Sequence, residues 1–406
     1  MKRCMKEWRK NSVMKNRWPA AYKVIDELEQ AGFEAFVVGG AVRDFIRNAP
    51  VNDVDITTNA TPDEVKKIFT HTIDVGIEHG TVLVVSDEPI EVTTYRSEST
   101  YSDFRRPDGV MFVRTLKEDL QRRDFTINAM ALTKEDGLVD YFGGRQAIED
   151  GIIQAVGNPQ LRFSEDALRM LRAVRFSAQL NFSLESHTFE AIQSLHELIK
   201  HISIERVKVE LEKVWLSDFP FKGMQLFVDS GLSSMFPGDW VRILESWEDF
   251  SSFNVKANGW AFLALLQSKE NTNQLLSYYK CSNDEKRHVK NVFQAVQSLV
   301  KGAWTTDELF HFNEEVLTVS YHYGKSILSN EITHPLEEFL LRKRTIPIAS
   351  KKEIVVNGND IMQWANKKRG PWIKEALDRL TGMIVNSQIK NDRQEIKEWF
   401  SHEYLH

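Results

Sequence analysis

What most limits the fold of this chain is where its strand patterns stop. Between residues 19 and 150, short apolar runs alternate with helical segments. "FEAFVVGG" is an apolar run ending in a glycine pair, the pattern of a buried strand entering a turn. "AVRDFIRN" then has helical periodicity, and "VNDVDITT" alternates as a strand. "TPDEVKKIF" starts a helix with Thr61 as N-cap, Pro62 in the first turn and Glu64 completing a capping box. "GTVLVVS" and "IEVTTYR" add two strands. After "DYFGGRQAIEDGIIQAVGNP" the strand signals end, and from about residue 160 the periodicity is helical. The fold class expected is therefore α+β, a sheet-bearing first part followed by a long all-α remainder.

The remainder breaks softly near "SDFPF", "MFPGDW" and "THPLEEF", so it divides into several helical units without a flexible linker. No apolar run is long enough to cross a membrane as a helix. The basic N-terminus lacks the apolar core of a secretory signal, and Met14 is a second candidate start. Two cysteines, Cys4 and Cys281, make neither a disulfide framework nor a metal cluster, which fits a reducing, cytoplasmic compartment. The net charge is −6, but nine Lys and Arg residues between Arg342 and Lys374 face only Glu353 and Asp360. That local surplus suits a nucleic-acid backbone better than the overall charge does.

In "DVDI", Asp53 and Asp55 lie two apart on an expected strand, so both carboxylates share one face. Such a pair at a strand end suits Mg2+, which prefers oxygen ligands. Two aspartates leave the coordination of a two-ion site incomplete, and Glu91 of "IEVTTYR" is the candidate third carboxylate. Just upstream, "GGAVRD" places Gly39 and Gly40 before a helix start carrying Arg43. Glycines let backbone N–H groups approach a phosphate, and an arginine can fork onto its oxygens. A phosphate cradle beside a metal pair points to nucleotidyl transfer.

"GGAVRD" followed by "DVDITT" resembles the head signature of the class II tRNA nucleotidyltransferase and poly(A) polymerase family, within the group that has a DNA polymerase beta-like head. "EVTTYR", "RRDFTINAMA" and "EDALRMLRAVRF" follow in that family's order, and "VNGNDIMQWANKKRGPWIKEAL" resembles the tail of its bacterial CCA-adding members. The resemblance implies a nucleotidyltransferase head on a mixed sheet over 14–148, a helical neck over 149–215 that selects the base, a body over 216–310 and a tRNA-binding tail over 311–406. It implies addition of C, C and A to the 3′ end of tRNA from CTP and ATP, with no membrane partner, and a homodimer is compatible with it. It also implies that Arg123 contacts the nucleotide, that Asp124 contacts the ribose and that Asn128 supports them. Residues 96–120 resemble the loop used during A addition, and Gly143 and Gly144 the hinge between head and neck. A C-terminal phosphohydrolase carrying a His-Asp dipeptide occurs in some members; no His-Asp dipeptide occurs in this chain.

"FSEDALRMLRAVRF" has the periodicity of a single helix carrying Asp166, Arg169, Arg172 and Arg175 at every third position. Such residues precess by about 60° per step, so all four cannot converge on one atom. Asp166 and Arg169 form the expected pair, while Arg172 and Arg175 turn to phosphates or to buttressing carboxylates. A carboxylate accepts from an exocyclic amine and a guanidinium donates to a ring nitrogen. Cytosine and adenine both present that order, and uracil and guanine present the reverse. The alternatives within the class are a partial CC- or A-adding enzyme and a poly(A) polymerase; outside it stands an inactive tRNA-binding protein.

Overall fold

Alternation along the head strands sends one row of side chains into an apolar layer and the other toward a polar one. The computed structural model describes residues 17–51, 53–76, 80–98, 110–245, 255–266, 269–328 and 332–404. Its strands are β1 (Ala35–Val38), β2 (Asp55–Thr58), β3 (Thr72–Gly76), β4 (Thr81–Val85), β5 (Pro89–Thr94), β6 (Arg96–Glu98), β7 (Val110–Phe112), β8 (Met130–Leu132) and β9 (Leu138–Asp140), with a short parallel pair β10 (Ile152–Ile153) and β11 (Ser183–Leu184). Seven of them form one sheet in the order β3-β4-β5-β2-β1-β8-β9. The β2–β5 pair is parallel and its other pairs are antiparallel, so the sheet is mixed as expected.

Val37, Ile56, Val92 and Val82 are in register across four strands, and each is buried. Helix α1 (Arg17–Gln30) covers that face and buries Ala21, Val24, Ile25 and Leu28. On the opposite face Val38 packs with Tyr95, Leu116, Leu120 and Ala131. The same face carries Asp55 opposite Val38 and Thr57 opposite Phe36. Helix α2 (Gly40–Ile46) leaves β1 directly, and α3 (Pro62–Ile68) has the expected capping box, with Thr61 and Glu64 each accepting the other's backbone N–H.

Residues 96–120 are more ordered at their ends than a loop. β6 and β7 pair antiparallel, and Thr115 caps α4 (Leu116–Gln121). Its middle, with Arg105, Arg106, Pro107, Asp108 and Gly109, lies outside the described residues, as do Met14 and Cys4. The strand signal also extends further than expected, since β11 lies beyond residue 160.

Next come the helices α5 (Gly144–Asp150), α6 (Pro159–Glu165), α7 (Leu168–Leu180), α8 (Ser186–Leu195), α9 (Ile204–Trp215) and α10 (Pro220–Asp229), the last beyond the 149–215 expected for the neck. Helix α7 packs against both α9 and α10. Gly223 makes that junction possible: a Cβ there would meet Ala178 at 2.6 Å and Val214 at 2.7 Å. Residues 216–240 thus pack with the neck, and the chain divides into two compact units at Trp240/Val241. The second unit is helical throughout its described residues, with Trp260, Tyr279 and Tyr323 at one core and Leu380, Ile384 and Ile396 at another.

The glycine pair at 143–144 has two distinct jobs. Gly143 has a left-handed backbone (φ 74°) that N-caps α5. Gly144 is a point of close packing, because a Cβ there would lie 2.2 Å from the Thr126 carbonyl oxygen and 2.8 Å from Met130. Gly144→Ala should therefore destabilise the head by about 1–3 kcal/mol in urea unfolding; an unchanged midpoint would contradict this packing role.

Candidate active site

The end of β1, the start of β2 and the neck helices enclose one cavity of about 650 Å3. Asp55 opens β2 and stands opposite both Val38, the last residue of β1, and Glu91 on β5. Adjacent in-register residues project from the same face, so Asp55 and Glu91 are neighbours at the cavity wall. Asp53 lies before β2 rather than on it, so strand alternation does not place it. Burial pushes the Asp55 carboxyl up from its ordinary value, and the like charges of Glu91 and Asp53 push the same way against Arg123. This is an undercompensated negative corner, which suits a cation. Among the described residues no group of three or more acidic, His or Cys side chains is arranged to hold a metal ion, and Glu91 stands beside Asp55 in the cavity lining.

Arginines dominate the rest of the cavity. Eight guanidinium groups line it, against the carboxylates of Asp55, Glu91, Asp124 and Asp166. Gly39 turns the chain with φ 74°, and a Cβ there would come within 3.1 Å of Arg123. Gly39 therefore serves two needs, a left-handed turn and room for a guanidinium. Arg43 donates to Asn128 at 2.9 Å, and Asn128 donates to Asp124 at 3.2 Å. Asp124 also accepts from the Phe125 N–H and, at 2.7 Å, from Arg172 Nε. Both its oxygens are engaged, so a ribose hydroxyl would have to share them. Burial works to raise the Asp124 pKa, but Arg172 and Asn128 outweigh it and hold the carboxyl at about 2.

The expected single helix over 163–176 is two helices. Asp166 interrupts them with an extended backbone (φ −134°, ψ 104°), and its Oδ1 accepts the Leu168 N–H at 3.0 Å. An aspartate just before an apolar helical run is a helix-start signal, and here it outweighs the periodicity on either side. Helical precession therefore does not set the Asp166–Arg169 geometry. Asp166 pairs with Arg206 of α9 at 3.1 Å, whereas Arg169 pairs with Glu165 at 2.7 Å and donates to the Arg122 carbonyl at 3.1 Å. The two side chains line one cavity while separate partners hold them. Arg172 and Arg175 do turn to carboxylates, Arg172 to Asp124 and Arg175 to Glu210. Burial lowers the Arg175 pKa to about 10 despite Glu210. Phe176 spaces three of these charges, with Arg43 and Arg172 each 5.4 Å and Arg175 4.4 Å from its ring centroid.

Several of these partners escape a reading of the sequence. Asp119 is fully buried beneath the site, accepting from Thr57 and Arg122 and pairing with Arg123. Burial works to raise its pKa, and the two guanidinium groups outweigh it and hold it below the usual carboxylate range. Glu210 and Arg206 sit on α9, far along the chain from the groups they meet. Their sequence signal is only that of charged residues in helical segments, which does not say which arginines they face.

Residues 35–154 match the Poly A polymerase head domain, 181–238 the probable RNA and SrmB-binding site of polymerase A, and 251–400 the putative tRNA nucleotidyltransferase domain 2. The CCA-adding enzyme of Bacillus cereus (strain B4264) is 39% identical over 388 residues, spanning 94% of this chain and 98% of its own. The chain belongs to the CCA-adding enzyme family. Like the rest of that family it is a nucleotidyltransferase. The CCA-adding enzyme of Bacillus stearothermophilus, solved in complex with CTP, matches it with a TM-score of 0.81 at 35% identity, over 96% of this chain and 98% of the other. The Thermotoga maritima CCA-adding enzyme complexed with tRNA shares the fold, with a TM-score of 0.64 at 18% identity over 98% of each chain. Among the described residues no helix is long and apolar enough to cross a membrane.

In this CCA-adding family member the buried Asp124–Arg172 pair makes a pH-dependent contribution to stability. The folded pKa of about 2 lies below the unfolded value of about 3.9. The stabilisation, about 2 kcal/mol, is present above pH 4 and is lost as pH falls through 2. Between pH 6 and pH 3, urea unfolding of the parent should lose about 1 kcal/mol more than Asp124→Asn does; parallel pH profiles would contradict the assignment.

Proposed function

We propose that this nucleotidyltransferase adds C, C and A to the 3′ end of tRNA from CTP and ATP, without a nucleic-acid template. The observation that carries the proposal is one cavity lined by an undercompensated carboxylate corner, an excess of arginines and the Asp166–Arg169 set. A nucleoside triphosphate matches all three.

Gly39, Gly40 and Arg43 approach the triphosphate, with Arg123, Arg172 and Arg175 supplying further positive charge. Asp124 and Asn128 hold Arg172 and Arg43 in place. Asp53 and Asp55 would hold Mg2+, with Glu91 adding negative charge beside them. In the two-Mg2+ form of in-line transfer, the bound metal favours the deprotonated 3′-hydroxyl and offsets charge on the phosphates. The tRNA 3′-oxygen bonds to the α-phosphorus, its proton leaves to solvent, and the α–β bridging bond breaks to release pyrophosphate. Asp166 accepts from the exocyclic amine of cytosine or adenine while Arg169 donates to the ring nitrogen. Uracil and guanine would oppose acceptor to acceptor and donor to donor, an arrangement a closed site rejects strongly. The head (14–148) performs transfer, the neck (149–215, with α10 packed on it) selects the base, and the body (216–310) and tail (311–406) hold tRNA. The basic cluster at 342–374 meets the phosphate backbone, a contact that tolerates any tRNA sequence.

Extension of tRNA lacking its CCA end tests the reading. Three nucleotides should be added with CTP and ATP, and two with CTP alone. Unlimited A tails, or arrest after two C residues with ATP present, would favour a poly(A) polymerase or a partial enzyme. Asp55→Asn should reduce incorporation by at least about a hundredfold, and full activity in that variant would contradict the catalytic role given to Asp55. Asp166→Ala should admit UTP and GTP; undiminished discrimination would discard the edge-reading role.

A further inference from the structure

The second unit contains a cavity of about 640 Å3 whose chemistry differs from that of the head. It lies where the short turn at Lys351–Glu353, the start of the helix Gly358–Ala365 and the helix Trp372–Val385 meet. Ile354, Val356, Ile373 and Leu377 line it with hydrocarbon. Lys351, Lys352, Arg369 and Lys374 line it with positive charge. Asp378 is the one carboxylate in its lining, and Lys351 already neutralises it at 2.6 Å. Among the described residues Lys352, Arg369 and Lys374 make no ion pair, so three cations remain uncompensated there.

The polar side chains in the wall are committed inward. Asn357 caps its own helix through the N–H groups of Asn359 and Asp360, and Thr381 donates to the Leu377 carbonyl at 2.6 Å. The cavity thus offers apolar contact and positive charge but few groups to read a hydrogen-bonding edge. Hydrocarbon walls have no use for a bare phosphate, and lysines at the rim have no use for a plain apolar group. The ligand that satisfies both halves is amphiphilic: a flat, sequence-indifferent base joined to phosphates. Its volume lies within the range of small-ligand sites. A base can enter only if it leaves its stack, as loop bases of folded RNA do.

We propose that this tail cavity takes one unstacked nucleotide from a loop of the bound tRNA, base on the Ile354–Ile373–Leu377 wall and flanking phosphates on Lys352, Arg369 and Lys374. The inference rests on tRNA being the substrate. It adds a point of capture far along the chain from the catalytic cavity, one that senses a splayed base and not its identity.

Filter binding with full-length protein and tRNA lacking CCA tests it, with CTP affinity measured alongside as a control on the head. Arg369→Glu and Lys374→Glu should each weaken tRNA binding by at least about tenfold and flatten its salt dependence. Ile373→Trp and Ile354→Trp fill the cavity while leaving every charge in place. Each should weaken tRNA binding several-fold with the salt dependence unchanged. Parent affinity in both filling variants, with loss only on charge reversal, would show backbone contact without base capture and overturn the proposal. So would parent affinity in all four. Chemical footprinting of tRNA gives a second check: on the parent protein one loop base outside the acceptor end should become protected, and protection should vanish in Arg369→Glu. No such protected base would equally overturn the proposal. Failure of the parent to extend tRNA at all would instead strike the reading of the substrate, which keeps the two failures distinct.

Discussion

Eight guanidinium groups in one cavity repel one another, and that repulsion is the constraint around which the first compact unit is arranged. Carboxylates drawn from different elements hold them: Asp119 from α4, Asp124 from the segment before β8, Glu165 at the end of α6, Asp166 in the break, and Glu210 on α9. These pairs fix side chains whose long stems would otherwise wander. They also leave a positive surplus, since several of the carboxylates lie beneath or beside the cavity and not in it. A triphosphate supplies the missing negative charge, so ligand binding and relief of internal repulsion are the same event.

In the proposed reaction, phosphate handling and base choice fall to side chains that are braced by different partners. Arg43, Arg123 and Arg172 are braced by Asp44, Asp119 and Asp124 and line the cavity together with Gly39 and Gly40. Asp166 and Arg169 are braced separately, by Arg206 and by Glu165. Under the proposed reading, separate bracing keeps the two from neutralising each other within the one cavity they line. A pair neutralised internally would have nothing left for a base edge.

Much of the head was legible because its signals are local. The glycine turn, the Thr61 capping box and the Asp55 strand depend on residues within a few positions of one another. Asp166 shows the limit of periodicity: eight apolar and three basic positions read as one helix, yet one aspartate in the extended region splits it. Asp53 shows another, since it lies just outside the strand whose alternation seemed to place it. Asp119, Arg206 and Glu210 were illegible for a different reason. Each is an ordinary helical charge in sequence, and its meaning depends on which guanidinium tertiary packing brings to it. Gly144 was visible as a glycine, but only the nearby Thr126 carbonyl shows why it must be one.

If the arginine surplus binds the triphosphate while the separately held Asp166 and Arg169 choose the base, affinity divides into two parts. Dissociation constants for CTP, ATP, UTP, GTP and inorganic tripolyphosphate, measured by calorimetry on the same protein, test both halves together. CTP and ATP should bind more tightly than tripolyphosphate, and UTP and GTP no better than it. Equal affinity for all four nucleotides, or no affinity for tripolyphosphate, would contradict the account.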